Sequence, residues 1–182
     1  MPFIVTAGES KNYTPAPEGT HQAVCVDVID QGMKPNKFKA GAMQRKVDLA
    51  WQIDERRDDG KRFIVYKRYT ASLNEKASLR HDLESWRGRT FTRAEEMEFD
   101  VESVIGANCL INIQHKGSDD GTKTFANVMS VMPLLKNMAK IAAENYMRPE
   151  PKSDAHTEQD AQIDPEPPSV ATGDISDSDI PF

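Results

Sequence analysis

The chain has 182 residues, of which 38% are apolar and 29% charged, with a net charge of −6. That length suits one domain of ordinary size plus additional segments. No apolar run approaches the ~20 residues needed to span a bilayer, and "MPFIVTAGES" lacks the basic region and long apolar run of a secretory signal, so neither membrane nor leader is expected.

Residues 20 to 30, "THQAVCVDVID", are rich in β-branched residues and alternate well, which predicts a first strand. "QGMKPNKFKAGAMQ" follows, and its Gly, Pro and Asn predict a long loop. In "RKVDLAWQID" the residues Val47, Leu49, Trp51 and Ile53 share one face and Lys46, Asp48, Ala50 and Gln52 the other, the pattern of a strand with one buried side. Asp59-Gly60 in "ERRDDGKR" signals a hairpin, and "FIVYKRYTAS" reads as the third strand.

The period then changes. Leu79, Leu83 and Trp86 recur at spacings of four and three, which suits a helix with one apolar stripe, with Asn74 as its N-cap and Gly88 as its stop. "FDVESVIG" reads as one more short turn. "ANCLINIQHK" and "TKTFANVMSV" read as a fourth and fifth strand around the turn "GSDDG". An apolar-striped segment from Pro133 to Tyr146 predicts a C-terminal helix, which would pack on its own domain or mediate self-association. The expected fold is therefore mainly β: a five-stranded OB-fold barrel with a helix between strands three and four.

After Met147 the composition shifts to Pro, Asp, Glu, Ser, Thr and Gln, too polar to offset chain entropy by burial, so a disordered tail is expected. From Arg148 to Phe182 two basic residues face nine acidic ones, a net −7 that leaves +1 for everything before it. The domain expectation is an OB-fold domain over 1–147, with its core at about 18–135, and a tail over 148–182. An acidic tail behind a nearly neutral, locally basic body points to nucleic-acid or regulatory electrostatics.

The chemistry gathers in two places. Lys34, Lys37, Lys39, Arg45 and Lys46 fall between Gln31 and Val47 with no acidic residue among them, and Phe38 sits between two of the lysines. Clustered cations attract phosphates and exposed rings stack on bases, a mixture that suits single-stranded nucleic acid; an ordinary solvated loop is the alternative. In the third strand, Tyr66 and Arg68 share one face and Lys67 and Tyr69 the other, with Lys61 and Arg62 leading in. Tyr66 and Arg68 are taken as outward. Trp51 belongs with its apolar neighbours in the core, and Trp86 with the helix stripe; Arg87 and Arg89 either touch phosphate or favour the helix dipole.

Nothing reads as catalytic: there is no Gly-rich phosphate loop, nucleophile elbow or zinc-protease motif. Two cysteines, Cys25 and Cys109, are too few for a cysteine-built zinc site and are expected as buried thiols rather than a disulfide, and no histidine has ligand spacing to them. No cofactor or metal is expected, and a binding protein is favoured over an enzyme.

The chain ends "DISDSDIPF". Asp174, Asp177, Asp179, Ile180, Pro181 and Phe182 resemble the acidic C-terminal tip of bacterial single-stranded DNA-binding proteins, with Ile175, Ser176 and Ser178 diluting the acidic run. The body instead resembles the OB-fold single-stranded DNA-binding proteins of bacteriophages and prophages, through "YKRYTASLNEKASLRHDLESWRGRTFT", "FDVESVIGANCLINIQH" and "FANVMSVMPL". The resemblance implies a protein of the bacterial host cytoplasm that coats single-stranded DNA during replication, recombination and repair. Its tip would recruit host or phage enzymes, by capture of a terminal ring and carboxylate. Two alternatives stay open: an OB-fold adaptor that docks replication proteins without binding DNA, and a DNA-processing nuclease.

Overall fold

Seven glycines of the described residues have positive φ, and one of them explains why the first hairpin outgrows its sequence signal. In the computed structural model residues 14–148 are described, all within the unit Met1–Arg148. Strand β1 runs Gly19–Pro35 and β2 runs Met43–Arg56, so the expected 14-residue loop shrinks to 36–42, closed by Asn36 N–H donating to Ala42 O at 2.8 Å. Gly32, at φ 66°, sits at a register shift between β1 and β2. It absorbs the irregularity as a bulge and lets the strand continue instead of ending it.

β3 spans Arg62–Thr70, β4 Asn108–Gly117 and β5 Thr124–Pro133. The five strands form one antiparallel sheet in the order β3-β2-β1-β4-β5. No ladder joins the edge strands β3 and β5 among the described residues, so the sheet is not closed as a barrel.

One sheet face holds the main core. Val47, Leu49, Trp51 and Ile53 of β2 meet Val65 and Tyr69 of β3, Ile111 and Ile113 of β4 and Val128 and Val131 of β5. Each such side chain contributes roughly 1.5–3 kcal/mol by leaving water. Helix α1, Ser78–Arg87, closes this core with Leu79, Leu83 and Trp86. It also fastens both edges. Asp82 accepts from Lys67 Nζ and from Tyr69 Oη of β3, each at 2.6 Å, while Ser85 Oγ donates to Val131 O of β5 at 2.7 Å.

α1 begins four residues after the expected cap. Ala77 is its N-cap, without a side-chain bond, and Asn74 O accepts from Ala77 N–H in a preceding turn. Gly88 ends it at φ 68°, as its position predicts. Helix α2, Arg93–Met97, carries a capping box in which Thr92 and Glu95 satisfy each other's backbone N–H groups. A 3-10 turn follows at Val101–Val104.

The expected helix from Pro133 to Tyr146 does not form. Beyond β5 the chain is a strap without regular secondary structure, because the outer sheet face supplies the partners that a helix would find within itself. Gln22 Nε2 donates to Ala139 O at 2.6 Å. Asn108 pairs with both backbone groups of Ile141, at 3.0 and 2.8 Å, and Gln52 with both of Glu144, at 2.6 and 2.8 Å. Ile141 and Tyr146 pack there on Val24, Val26, Ala50 and Ile64, a second apolar cluster. The acidic tail and its tip, Asp174 to Phe182, lie outside the described residues.

Candidate nucleic-acid interface

Alternation fixes which side chains share the outer face. The register pairs Lys34 with Gln44, Lys46 with Thr70, Asp48 with Arg68, Ala50 with Tyr66 and Gln52 with Ile64. Val47, Leu49, Val65 and Tyr69 are buried on the opposite side, so Lys46, Tyr66 and Arg68 project on the outer side of β2 and β3, and the pairing of Lys34 with Gln44 puts Lys34 on that same side of the β1–β2 ribbon. Tyr66 is 47% exposed while Tyr69 is 1% exposed, so Tyr66 is the outward tyrosine. Lys46 Nζ donates to Thr70 Oγ1 at 2.7 Å, which itself donates to Gln44 at 3.4 Å.

The β1–β2 connection carries Lys37, Phe38 and Lys39 at the tip of the hairpin. Phe38 is 98% exposed. Its backbone N–H donates to Asn36 Oδ1 at 2.8 Å, which fixes the turn and holds the ring out to solvent. Among the described residues no hydrogen bond or ion pair engages the ammonium groups of Lys34, Lys37, Lys39 or Lys61.

Other sequence candidates are engaged or turned away. Arg68 donates to both oxygens of Asp48, at 2.7 and 2.8 Å, so its charge is balanced on the face itself. Arg45 alternates to the opposite side of the ribbon and grips Asp30 through two nitrogens. That hydrogen bond, with the Gly32 N–H, holds the Asp30 carboxyl at about 2. Lys61 stands at the far end of the sheet, in the β2–β3 turn. Arg62 lies under the strap with its side chain 10% exposed, donating to Ala142 O at 2.9 Å and pairing with Glu144 at 3.0 Å. The ten candidates thus divide. Lys34, Lys46, Tyr66 and Arg68 form an outer-face row beside the Phe38 tip with Lys37 and Lys39. Arg45, Lys61 and Arg62 stand apart from it.

On the α1 side, Arg87 and Arg89 both bond Glu95, at 2.5 and 2.8 Å, and Arg87 stacks on Phe91 at 4.5 Å. The Arg89 bond, then the Thr92 N–H, holds the Glu95 carboxyl at about 2. These arginines line a cavity of about 450 Å³ with Trp86, Phe99 and Val104. Cys25 and Cys109 are free and buried. Burial pushes the Cys25 thiol up to about 12 and the Cys109 thiol higher still. Among the described residues no group of three or more His, Cys, Asp or Glu side chains could hold a metal ion, and no helix is long and apolar enough to cross a membrane.

Sequence reasoning missed Asp48 as the partner of Arg68, although the alternation that turns Arg68 outward turns Asp48 the same way. It also missed Arg56, Gln52, Gln22 and Asn108, whose roles depend on where the strap runs. No protein-family model matches the chain, and no curated protein matches it.

Proposed function

We propose that the protein binds single-stranded DNA without strong sequence preference, along the outer face of β1, β2 and β3 and the β1–β2 tip. The observation that carries this reading is the row Lys34, Lys46, Arg68 and Tyr66 leading to a fully exposed Phe38 between Lys37 and Lys39. Cations spaced along a groove track a phosphate backbone, and exposed rings offer sequence-tolerant stacking platforms. The antiparallel order β3-β2-β1-β4-β5 supports reading the sheet as OB-like, and in OB-folds the face of strands two and three takes oligonucleotides. The segment from Asp174 to Phe182 serves as the hook for replication, recombination and repair enzymes, its carboxylates steering encounter with basic partner surfaces.

The test is a titration of labelled oligo-dT and of duplex at low salt. Single strand should bind more tightly than duplex, with affinity falling as salt rises. Absence of single-strand binding at low salt would leave the adaptor reading in possession. One observation favours that second reading: Arg68 on the face and Arg62 under the strap already hold carboxylates, which lowers the positive potential of the face.

A further inference from the structure

The strap crosses the same outer face and ends in an unusual place. At the turn end of the β2–β3 hairpin a cavity of about 110 Å³ is lined by Arg56, Arg57, Lys61 and Arg62, together with Gln52 and Glu144. Arg57 is partly occupied by Asp59, at 2.8 Å. Arg56 and Arg62 converge on the two oxygens of Glu144, at 2.9 and 3.0 Å. Two guanidinium groups closing on two oxygens of one anion is the arrangement that recognises phosphate as readily as carboxylate. Gln52 offers its amide donor and acceptor to the Glu144 backbone, the same pair of groups that an amide offers to a base edge. Tyr146, anchored by its hydroxyl to Asp27 at 2.8 Å, lays its ring on the apolar patch of Val24, Val26, Ala50 and Ile64.

The strap is held by polar bonds more than by apolar contact, and Arg148 closes it by pairing with Asp27 at 3.1 Å and donating to Val28 O at 2.8 Å. The strap adds no strand to the sheet, and its bonds are mostly from side chains to backbone. Its apolar anchors in the second cluster are Ile141 and Tyr146, and segments with few buried apolar contacts open at low cost relative to global unfolding.

We propose that Arg56, Arg57, Lys61 and Arg62 form a backbone-phosphate subsite, that Glu144 occupies it as an internal stand-in for phosphate, and that a single strand displaces residues 139–148 to reach it. The inference rests on the single-strand reading above and extends that face past Tyr66 to the far end of β2 and β3. It gives Arg62 the part in binding that its covered position otherwise denies it. It also makes the strap a brake on binding, released in proportion to occupancy of the uncovered row.

The experiment uses the full chain with labelled oligo-dT. Glu144→Gln keeps the size and the backbone bonds to Gln52 while removing the competing charge. It should tighten binding about 2- to 10-fold and steepen the log affinity against log salt slope by about 0.7 for each phosphate newly engaged. Arg56→Gln in the Glu144→Gln background should return both quantities toward wild type. Hydrogen exchange of 139–148 in the wild-type protein should accelerate when oligo-dT is added. The subsite is refuted if Glu144→Gln leaves affinity and slope unchanged or weakens binding, or if oligonucleotide slows exchange in the strap. If the wild-type chain binds while Phe38→Ala weakens it and Glu144→Gln does nothing, the inference fails and the single-strand reading stands. If the wild-type chain does not bind at all, both fail together.

Discussion

At the scale of single residues, exposure separates binding from stability. Phe38 touches solvent almost everywhere, so Phe38→Ala should leave the denaturation midpoint unmoved. If its ring stacks on one base, the loss of about 1–3 kcal/mol corresponds to about 5- to 150-fold weaker binding of oligo-dT; unchanged affinity would remove Phe38 from the site. Asp48 and Arg68 give the complementary case. Asp48→Asn removes a negative charge from the face and frees the guanidinium, so oligonucleotide affinity should rise, whereas Arg68→Met should lower it. Arg68→Met should also cost about 1 kcal/mol or more in urea denaturation, because the Asp48 carboxylate is left buried without its partner. Neither tryptophan is a useful reporter of contact, since Trp51 is 0% and Trp86 8% exposed. Labelled oligonucleotide anisotropy is the better measurement. The cysteines test the core: with both thiols buried and pushed upward, a thiol reagent at pH 8 should react only on unfolding.

At the scale of elements, the open edge between β3 and β5 is managed by side chains. Lys67 Nζ reaches from β3 to Asp82 of α1 at 2.6 Å and to Met129 O of β5 at 3.2 Å. Lys67→Met keeps the stem but breaks both links, and should destabilise by about 1–3 kcal/mol in urea denaturation without altering the outer face. The α2 capping box gives a pH prediction. The Glu95 carboxyl is held at about 2 against an ordinary value of 4.5. A lowered folded value means stability that is present above about pH 4.5 and drains away as pH falls toward 2. Glu95→Gln should flatten acid unfolding across that window, measured by circular dichroism. Elements whose instructions lie within one segment were legible. Val47, Leu49, Trp51 and Ile53 spell a period of two, Leu79, Leu83 and Trp86 a helical stripe, and Gly88 a stop. Thr92 to Glu95 also spelled a capping box that went unread. The strap was not legible. Its spacing of Leu134, Leu135, Met138 and Ile141 suits a helix, while the groups that hold it extended, Gln22, Gln52 and Asn108, stand 117, 92 and 33 residues away from the backbone they bond. The outer row was partly legible because Tyr66 and Arg68 share one strand's alternation. The cavity under Glu144 was hidden because it is made only when distant segments meet.

At the scale of the whole molecule, charge is divided along the chain. Residues 149–182 hold one basic side chain against nine acidic ones, a net −8, so 1–148 carries +2 of the total −6. Like-signed surfaces repel a polyanion and opposite-signed ones attract it, over a range set by the Debye length of about 10 Å at 0.1 M salt. A chain ending at Arg148 should therefore bind oligo-dT as tightly as the full chain or more tightly, with the difference shrinking as salt rises. The same truncation should abolish capture of replication and repair enzymes by the immobilised protein. Deleting Phe182 alone should reproduce the loss of partners while leaving the affinity for DNA untouched, because it removes a ring and no side-chain charge. That pairing discriminates between two physical accounts of the segment. If truncation and the Phe182 deletion both leave partner capture intact, the segment acts only through its charge and the hook is wrong. If truncation instead abolishes DNA binding, the division of labour between body and tail is wrong, whatever the outer face of β1, β2 and β3 contributes.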